Sequence, residues 1–294
     1  MQVPARFADE LIGREGPSAR AWLDAVPGLV RGCCHAWGLD LDGPVWHGYT
    51  GLVLPATRHD GTPAVLKISR LDPDTRDEPV ALSTWDGAGA VLLLDSAPEH
   101  GALLLERLDP DRTLMTEPLD NAVEIAAGLL RRLAVPAPAS LRHLRDESAR
   151  LAETLPSEWA RLGKPLPRRL LDHAMGMCRE LGPDSGSSLV NQDLHYENVL
   201  AGRREPWLVI DPQPLAGDPE FGVIPLLWNR SDESIVDVRF AAVVARAGLD
   251  AGRATGWTLV RAVDTWLWSL EAGGFPPADG LAEIARWAAG PRPG

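Results

Sequence analysis

The reading turns on one stretch, Asn191-Gln192-Asp193-Leu194-His195-Tyr196-Glu197-Asn198, and on the Asp211-Pro212-Gln213 that follows a short hairpin. Asn198 to Ala201 and Trp207 to Ile210 are β-like runs on either side of the turn Gly202-Arg203-Arg204-Glu205-Pro206. A D-x-x-x-x-N loop therefore leads into a strand–turn–strand that ends on a second Asp. Asp and Asn are also ordinary turn formers, and the spacing by itself is common. Context makes it specific. Phosphoryl transfer needs one carboxylate to orient and deprotonate an attacking hydroxyl, and oxygen ligands for Mg²⁺ on the nucleotide phosphates. Asp193 would be the base, and Asn198 and Asp211 would hold the metal. A competing reading takes Asp193 and His195 as an Asp-x-His metal-hydrolase pair. Such sites draw on several further ligands, and the chain has only seven His, no two of them close in sequence.

Upstream, Val45 to Ala56 and Ala64 to Ile68 are β-like, joined by Arg58-His59-Asp60-Gly61-Thr62-Pro63, whose Asp-Gly pair marks a hairpin. Lys67 lies in the second arm, and the first carries Gly48-Tyr49-Thr50-Gly51. A strand Lys in this position contacts the α- and β-phosphates in kinases and pairs with a helix Glu. Glu78, at the start of a helix expected over Asp77 to Trp85, is the candidate partner. Gly48 and Gly51 would let backbone N–H groups approach phosphate. Strands are expected at Ala90 to Leu94 and Ala102 to Glu106, with Asp95 to Gly101 as the polar turn between them. Glu106-Arg107-Leu108 would form an inter-lobe hinge that reads the adenine edge through main-chain groups. Ahead of all this, apolar residues from Trp22 to Trp37 recur at helical spacing, and Pro27 is expected to kink or divide that helix.

Beyond Leu108 the character changes. Helical patterns cover Leu119 to Leu133, Leu141 to Leu155 and Leu170 to Leu181, and most of the chain after Asp211. The expected organisation is α+β and bilobal. Residues 1–107 form a small antiparallel-sheet, nucleotide-binding lobe with a leading helix. Residues 108–294 form a large, mainly helical, catalytic and acceptor-binding lobe.

Composition narrows the function classes. A net charge of −12 disfavours a nucleic-acid binder, which needs a basic surface, and suits a cationic ligand. Cys33, Cys34 and Cys178 have neither metal-ligand spacing nor an even disulfide framework, so reduced thiols and a cytoplasmic location are expected. No apolar run approaches the length of a membrane span. Trp257, Trp266 and Trp268 lie in apolar helical stretches and are expected in the core. Monomer and dimer both remain open.

Several blocks together resemble the aminoglycoside and hydroxyurea antibiotic-resistance kinases, and within them the streptomycin 6-kinases. The densest are Asp193-Leu194-His195-Tyr196-Glu197-Asn198-Val199-Leu200-Ala201 and Arg204-Glu205-Pro206-Trp207-Leu208-Val209-Ile210-Asp211-Pro212; Leu103-Leu104-Leu105-Glu106-Arg107-Leu108 resembles the hinge segment. The resemblance implies a protein-kinase-like fold, ATP and Mg²⁺, and phosphorylation of an antibiotic hydroxyl, with Asp193 as base, Asn198 and Asp211 on the metal and Lys67 on the phosphates. Gly217-Asp218-Pro219 matches a recurring segment in which Asp218 is expected to be a structural cap. The chain departs from the pattern at Asn191, where the family usually has a His that supports the loop. It also departs over Pro225 to Asp237, where substrates are expected to be distinguished. For a cationic acceptor, Asp232, Glu233, Asp264 and Glu271 are candidate carboxylates, set against the alternative that each is a solvated surface acid. Two other functions fit the fold: a metabolic kinase for a sugar or amino alcohol, and a nucleotide-binding pseudoenzyme. The second would lack a Lys, base or metal ligand, and none is missing here.

Overall fold

The computed structural model describes residues 1–272 and 276–290. The chain divides into two compact units, Met1–Asp109 and Pro110–Gly294. The sequence-based boundary falls two residues earlier, and the tail of the expected second lobe, 291–294, lies outside the described residues.

The first unit opens with α1 (Ala5–Glu15) and α2 (Pro17–Trp37). Gly16 joins them at φ +67°, a left-handed conformation that favours glycine. Pro27 lies inside α2 without dividing it. The strands β1 (Leu39–Leu41), β2 (Trp46–His47), β3 (Gly51–Arg58), β4 (Pro63–Ser69), β5 (Leu93–Ala97) and β6 (Ala102–Glu106) form one antiparallel sheet, with α3 (Pro73–Trp85) between β4 and β5. The sheet order is β1-β3-β4-β6-β5, with β2 also paired to β3. The expected run Val45 to Ala56 is interrupted, because the tip Tyr49-Thr50 separates β2 from β3.

Period-two alternation sorts the side chains of this sheet. Leu52, Leu54 and Ala56 of β3, Leu66 and Ile68 of β4, and Leu104 of β6 join Phe7, Leu11, Leu23, Val26 and Val30 of the two leading helices in one core. Lys67 alternates with Leu66 and Ile68 and so turns to the opposite face, opposite Val53 on one side and Leu103 on the other. The strand expected at Ala90 to Leu94 is found three residues later. Glu106 draws Leu92 into a side connection instead, its N–H donating to Leu92 O (3.0 Å) while its Oε1 accepts from Leu92 N (2.8 Å).

The second unit holds β7 (Asp109–Thr113), α4 (Leu119–Leu133), α5 (Leu144–Arg161), α6 (Arg168–Leu181), β8 (Ser188–Asn191), β9 (Val199–Ala201), β10 (Trp207–Val209), β11 (Pro214–Gly217), α7 (Pro225–Trp228), α8 (Val236–Ala247), α9 (Ala251–Glu271) and α10 (Ala278–Ala288). Two small sheets, β10-β9-β7 and β11-β8, present the loop between β8 and β9. α9 carries the fully buried Trp257, which meets Phe221 edge-on at 5.3 Å. Gly256 lets α9 approach α6, since a Cβ there would lie 2.7 Å from Leu181 Cδ1. Trp266 is buried as expected, but Trp268 faces outward, 45% exposed, because the helix buries only one side here.

Candidate active site

In the first unit, α3 begins earlier than the sequence suggests. Asp72 and Thr75 form a reciprocal capping box: Thr75 N–H donates to Asp72 Oδ1 (2.8 Å) and Asp72 N–H donates to Thr75 Oγ1 (2.9 Å). Pro73 at the first helical position suits that cap. Glu78 therefore stands in the second turn, not at the helix start. Its carboxylate receives Lys67 Nζ at 2.7 Å on both oxygens, and both side chains are buried. A buried charge pair is tolerated only with such close hydrogen bonding, so the pair fixes α3 to β4.

The glycine pair also has work within the sheet. Gly48 N–H is already used, donating to Gly51 O (3.0 Å) across the β2–β3 hairpin. Gly51 is required sterically: a Cβ there would sit 2.6 Å from Ser69 Oγ and 2.7 Å from Ile68 O. Glu106 has its carboxylate on Leu92 N–H, and Arg107 donates to Ala64 O (3.1 Å) and Ala56 O (2.8 Å) and pairs with Asp42. Leu108, half-buried, follows β6 outside any strand.

In the second unit the catalytic candidates gather on one loop. Asp193 is half-buried, and its carboxylate Oδ2 accepts from Asn198 Nδ2 (3.3 Å) and Gln213 Nε2 (3.3 Å). Asn198 Nδ2 also donates to Asp193 O (3.1 Å), closing the loop on itself. Both partners of that amide are acceptors, so its orientation is fixed, and Oδ1 is left unspent by these bonds. Asp211 holds φ +50°, an uncommon left-handed conformation for a non-glycine residue, and is exposed. Asn198 Oδ1 and the Asp211 carboxylate are hard oxygen donors of the kind Mg²⁺ prefers. Among the described residues no group of three or more His, Cys, Asp or Glu is arranged to hold a metal.

His195 serves as packing. Its ring tilts against Trp228 at 5.5 Å, and its nitrogens stand 3.7 Å from the Asp193 and Glu197 carboxylates, beyond hydrogen-bond reach. Burial lowers its pKa, against the opposing pull of Glu197 and Asp211. The adjacent Tyr196 is fully buried, with its hydroxyl donating to Leu226 O (3.0 Å) and its N–H to Asn229 Oδ1 (3.2 Å). The first part of Pro225 to Asp237 thus scaffolds the loop. Asp218 is not a side-chain cap: Oδ1 accepts from Gly186 N (2.7 Å), and Oδ2 from Trp257 Nε1 (2.7 Å) and the Arg253 guanidinium.

The four acceptor candidates separate sharply. Glu233 is paired with Arg230 through two bonds of 2.7 and 2.6 Å, and Glu271 is paired with Arg161 at the surface. Asp232 is exposed. Asp264 is half-buried on α9 and makes no hydrogen bond or close ion pair with the described residues. Burial raises its carboxyl to about 6, with Glu147 and Glu158 adding to the shift and Arg261 and Arg150 opposing it. Arg261, one turn before it, donates to Gln192 Oε1 (2.8 Å) and Gln192 O (3.2 Å), directly ahead of Asp193. Gln192 and Gln213 lie inside the two quoted motifs but receive no role from the sequence, and Arg261 carries no sequence signal.

A profile of the aminoglycoside/hydroxyurea antibiotic resistance kinases matches residues 36–273. The chain belongs to this family. It is 43% identical over 277 residues to a hydroxyurea phosphotransferase of Kitasatospora aureofaciens, covering 93% of this chain and 82% of the relative. It is 41% identical over 299 residues to a streptomycin 6-kinase of Streptomyces glaucescens, covering 97% of each. Among solved structures, a ternary complex of the aminoglycoside phosphotransferase APH(4)-Ia with ADP and hygromycin B superposes with a TM-score of 0.64 at 18% identity, covering 89% of this chain and 99% of that one. The protein therefore has the protein-kinase-like fold and is an antibiotic-resistance kinase, a phosphotransferase with a hydroxyl acceptor that draws on ATP.

Proposed function

We propose that the enzyme uses Mg²⁺ with ATP to phosphorylate a hydroxyl of a cationic aminoglycoside of the streptomycin type. The observation that carries the chemistry is the convergence of Asn198 and Gln213 amides on the Asp193 carboxylate, which aims a half-exposed base. Asp193 accepts the proton of the attacking hydroxyl as that oxygen bonds to the γ-phosphorus and the γ–β bridge breaks. Asn198 and Asp211 hold Mg²⁺, which when bound neutralises charge on the nucleotide phosphates. Lys67, oriented by Glu78, contacts the α- and β-phosphates, and the 48–51 turn and the main chain at 106–108 contribute backbone groups to the nucleotide. The 1–107 portion is the nucleotide-binding lobe and the remainder the catalytic and acceptor-binding lobe.

The acceptor assignment is supported by Asp264, which is half-buried, has no hydrogen-bonding partner among the described residues and lies one turn from the Arg261–Gln192 link. An acceptor cation beside it would favour its ionised form. The similarity to a hydroxyurea phosphotransferase supports a second reading, a small neutral acceptor. No helix among the described residues is long and apolar enough to cross a membrane, in keeping with a cytoplasmic enzyme.

The test is ATP turnover with Mg²⁺ against streptomycin, hydroxyurea, a nucleoside antibiotic, simple sugars and choline. Streptomycin is expected to give the highest kcat/KM. Hydroxyurea as the preferred acceptor would overturn the cationic assignment, and no stimulation by any acceptor would overturn the kinase reading.

A further inference from the structure

Asn191 closes β8 opposite Pro214 of β11 and is 2% exposed. Its Oδ1 accepts two backbone N–H groups: Asp193 N at 3.0 Å and Gln213 N at 3.1 Å. Both partners are donors, so the amide orientation is forced. The first bond is a local side-chain turn, two residues along the chain. The second reaches 22 residues, to the segment that carries Asp211. Its companion is Gln192 N donating to Gln213 O (3.0 Å). One oxygen atom therefore ties the start of the base loop to the residue that follows Asp211-Pro212.

The rest of the side chain adds nothing to this. Asn191 Nδ2 is buried with no hydrogen-bond partner among the described residues, a cost of about 1–3 kcal/mol that an apolar residue of the same shape would avoid. Retaining an amide there makes sense only if Oδ1 is needed. A carbonyl oxygen offers two lone pairs, one for each N–H, whereas a neutral imidazole offers a single acceptor nitrogen. The Asn in place of the usual His thus does what the His cannot do with one atom. A carboxylate could also accept twice, though with a buried charge close to Asp193.

We propose that Asn191 is a positioning residue that sets Asp193 and Asp211 in register through a two-acceptor clamp on Asp193 N–H and Gln213 N–H. The inference rests on the kinase reading for its catalytic consequence and on geometry alone for the clamp. Without Oδ1, the base loop and the Asp211 segment lose their shared anchor. A displacement of the base of the order of an ångström costs about 10²-fold in rate.

The test pairs backbone amide exchange, read by NMR on the protein without ligand, with steady-state kinetics. In Asn191→Leu the Asp193 and Gln213 amides should exchange about tenfold faster or more, while those of the β9–β10 hairpin keep their wild-type rates. kcat should fall about 10²-fold and the apparent Mg²⁺ requirement should rise, with KM for ATP little changed. Asn191→Asp should restore protection of both amides, and Asn191→His should protect only one. Wild-type exchange and kcat in Asn191→Leu would overturn the proposal, as would loss of protection spread evenly over the second unit. If Asn191→Leu does not fold, Asn191→His decides, and protection of both amides by the imidazole would sink the two-acceptor argument. Wild-type protein that protects both amides yet phosphorylates no acceptor would refute the kinase reading and not the clamp.

Discussion

Lys67 and Glu78 meet inside the first unit, on a strand and a helix whose faces are set by apolar alternation, whereas Asp193 sits half-exposed on a loop held by amide side chains. The first arrangement is a packing consequence. Once Leu66 and Ile68 enter the α1–α2 core, Lys67 has no other face to take, and Glu78 meets it from the helix. The second depends on individual hydrogen bonds, each worth about 1 kcal/mol net. A charge centre built on packing should fail in stability, and one built on hydrogen bonds should fail in rate.

The sharpest way to break this contrast is to exchange the symptoms. Asp193→Ala should lower turnover by about 10²–10⁴-fold while leaving the thermal midpoint and ATP binding close to wild type, as expected of a lost general base. Steady-state kinetics and calorimetric ATP titration check it; a variant that keeps its rate would remove Asp193 from the chemistry. Lys67→Ala should destabilise by about 3–5 kcal/mol, because it strips a buried carboxylate of its lysine. The paired replacement Lys67→Met with Glu78→Leu should recover most of that loss in urea unfolding and none of the activity. A double variant as unstable as the single one would mean that the pair is not held by packing.

Asp264 offers a third, smaller test. Asp264→Asn should raise KM for streptomycin about tenfold, a loss of roughly 1.4 kcal/mol, and leave KM for hydroxyurea unchanged. Its pH dependence has a defined sign. The folded carboxyl, near 6, lies above its ordinary value, so the native state binds the proton more tightly than the unfolded chain. Its contribution to stability is therefore fully present below about pH 4 and declines as pH rises through 6. Asp264→Asn should flatten that part of the stability profile. Binding of a cationic acceptor, which favours the ionised form, should tighten between pH 5 and 7. The smallest effect belongs to Arg161→Ala. Its ion pair with Glu271 is exposed at both ends, and the unfolding midpoint should stay close to that of the wild type.

Legibility followed the same divide. β6 and α4 lie where the apolar periodicity puts them, Ala102–Glu106 and Leu119–Leu133, because burial dictates both pattern and position. β7, with the sequence Asp-Pro-Asp-Arg-Thr, carries no apolar signal and is recognisable only once β9 is beside it. The strand expected at Ala90 starts later because Ala90 and Val91 are buried ahead of it, while the polar Asp95 and Ser96 join Leu93 in the ladder with β6. In the site, residue types and spacing pointed to Asp193, Asn198, Asp211 and Lys67. The supports were hidden for a physical reason. Arg261 reaches Gln192 across 69 residues and Gln213 reaches Asp193 across 20, and no local periodicity encodes a side-chain hydrogen bond of that reach. Glu271 looks equivalent to Asp264 in the sequence because its partner Arg161 is 110 residues away, whereas Arg230 stands only three residues before Glu233.

Gly51 carries a consequence for descent. The clash that a Cβ would make with Ile68 O and Ser69 Oγ belongs to the β3–β4 pairing and exists whether or not a nucleotide is ever bound. A lineage that lost phosphoryl transfer but kept this sheet would go on selecting glycine at that position. Its persistence in a distant relative would then testify to the architecture, and a silent descendant would have to be recognised by drift at Asp193 or Asp211.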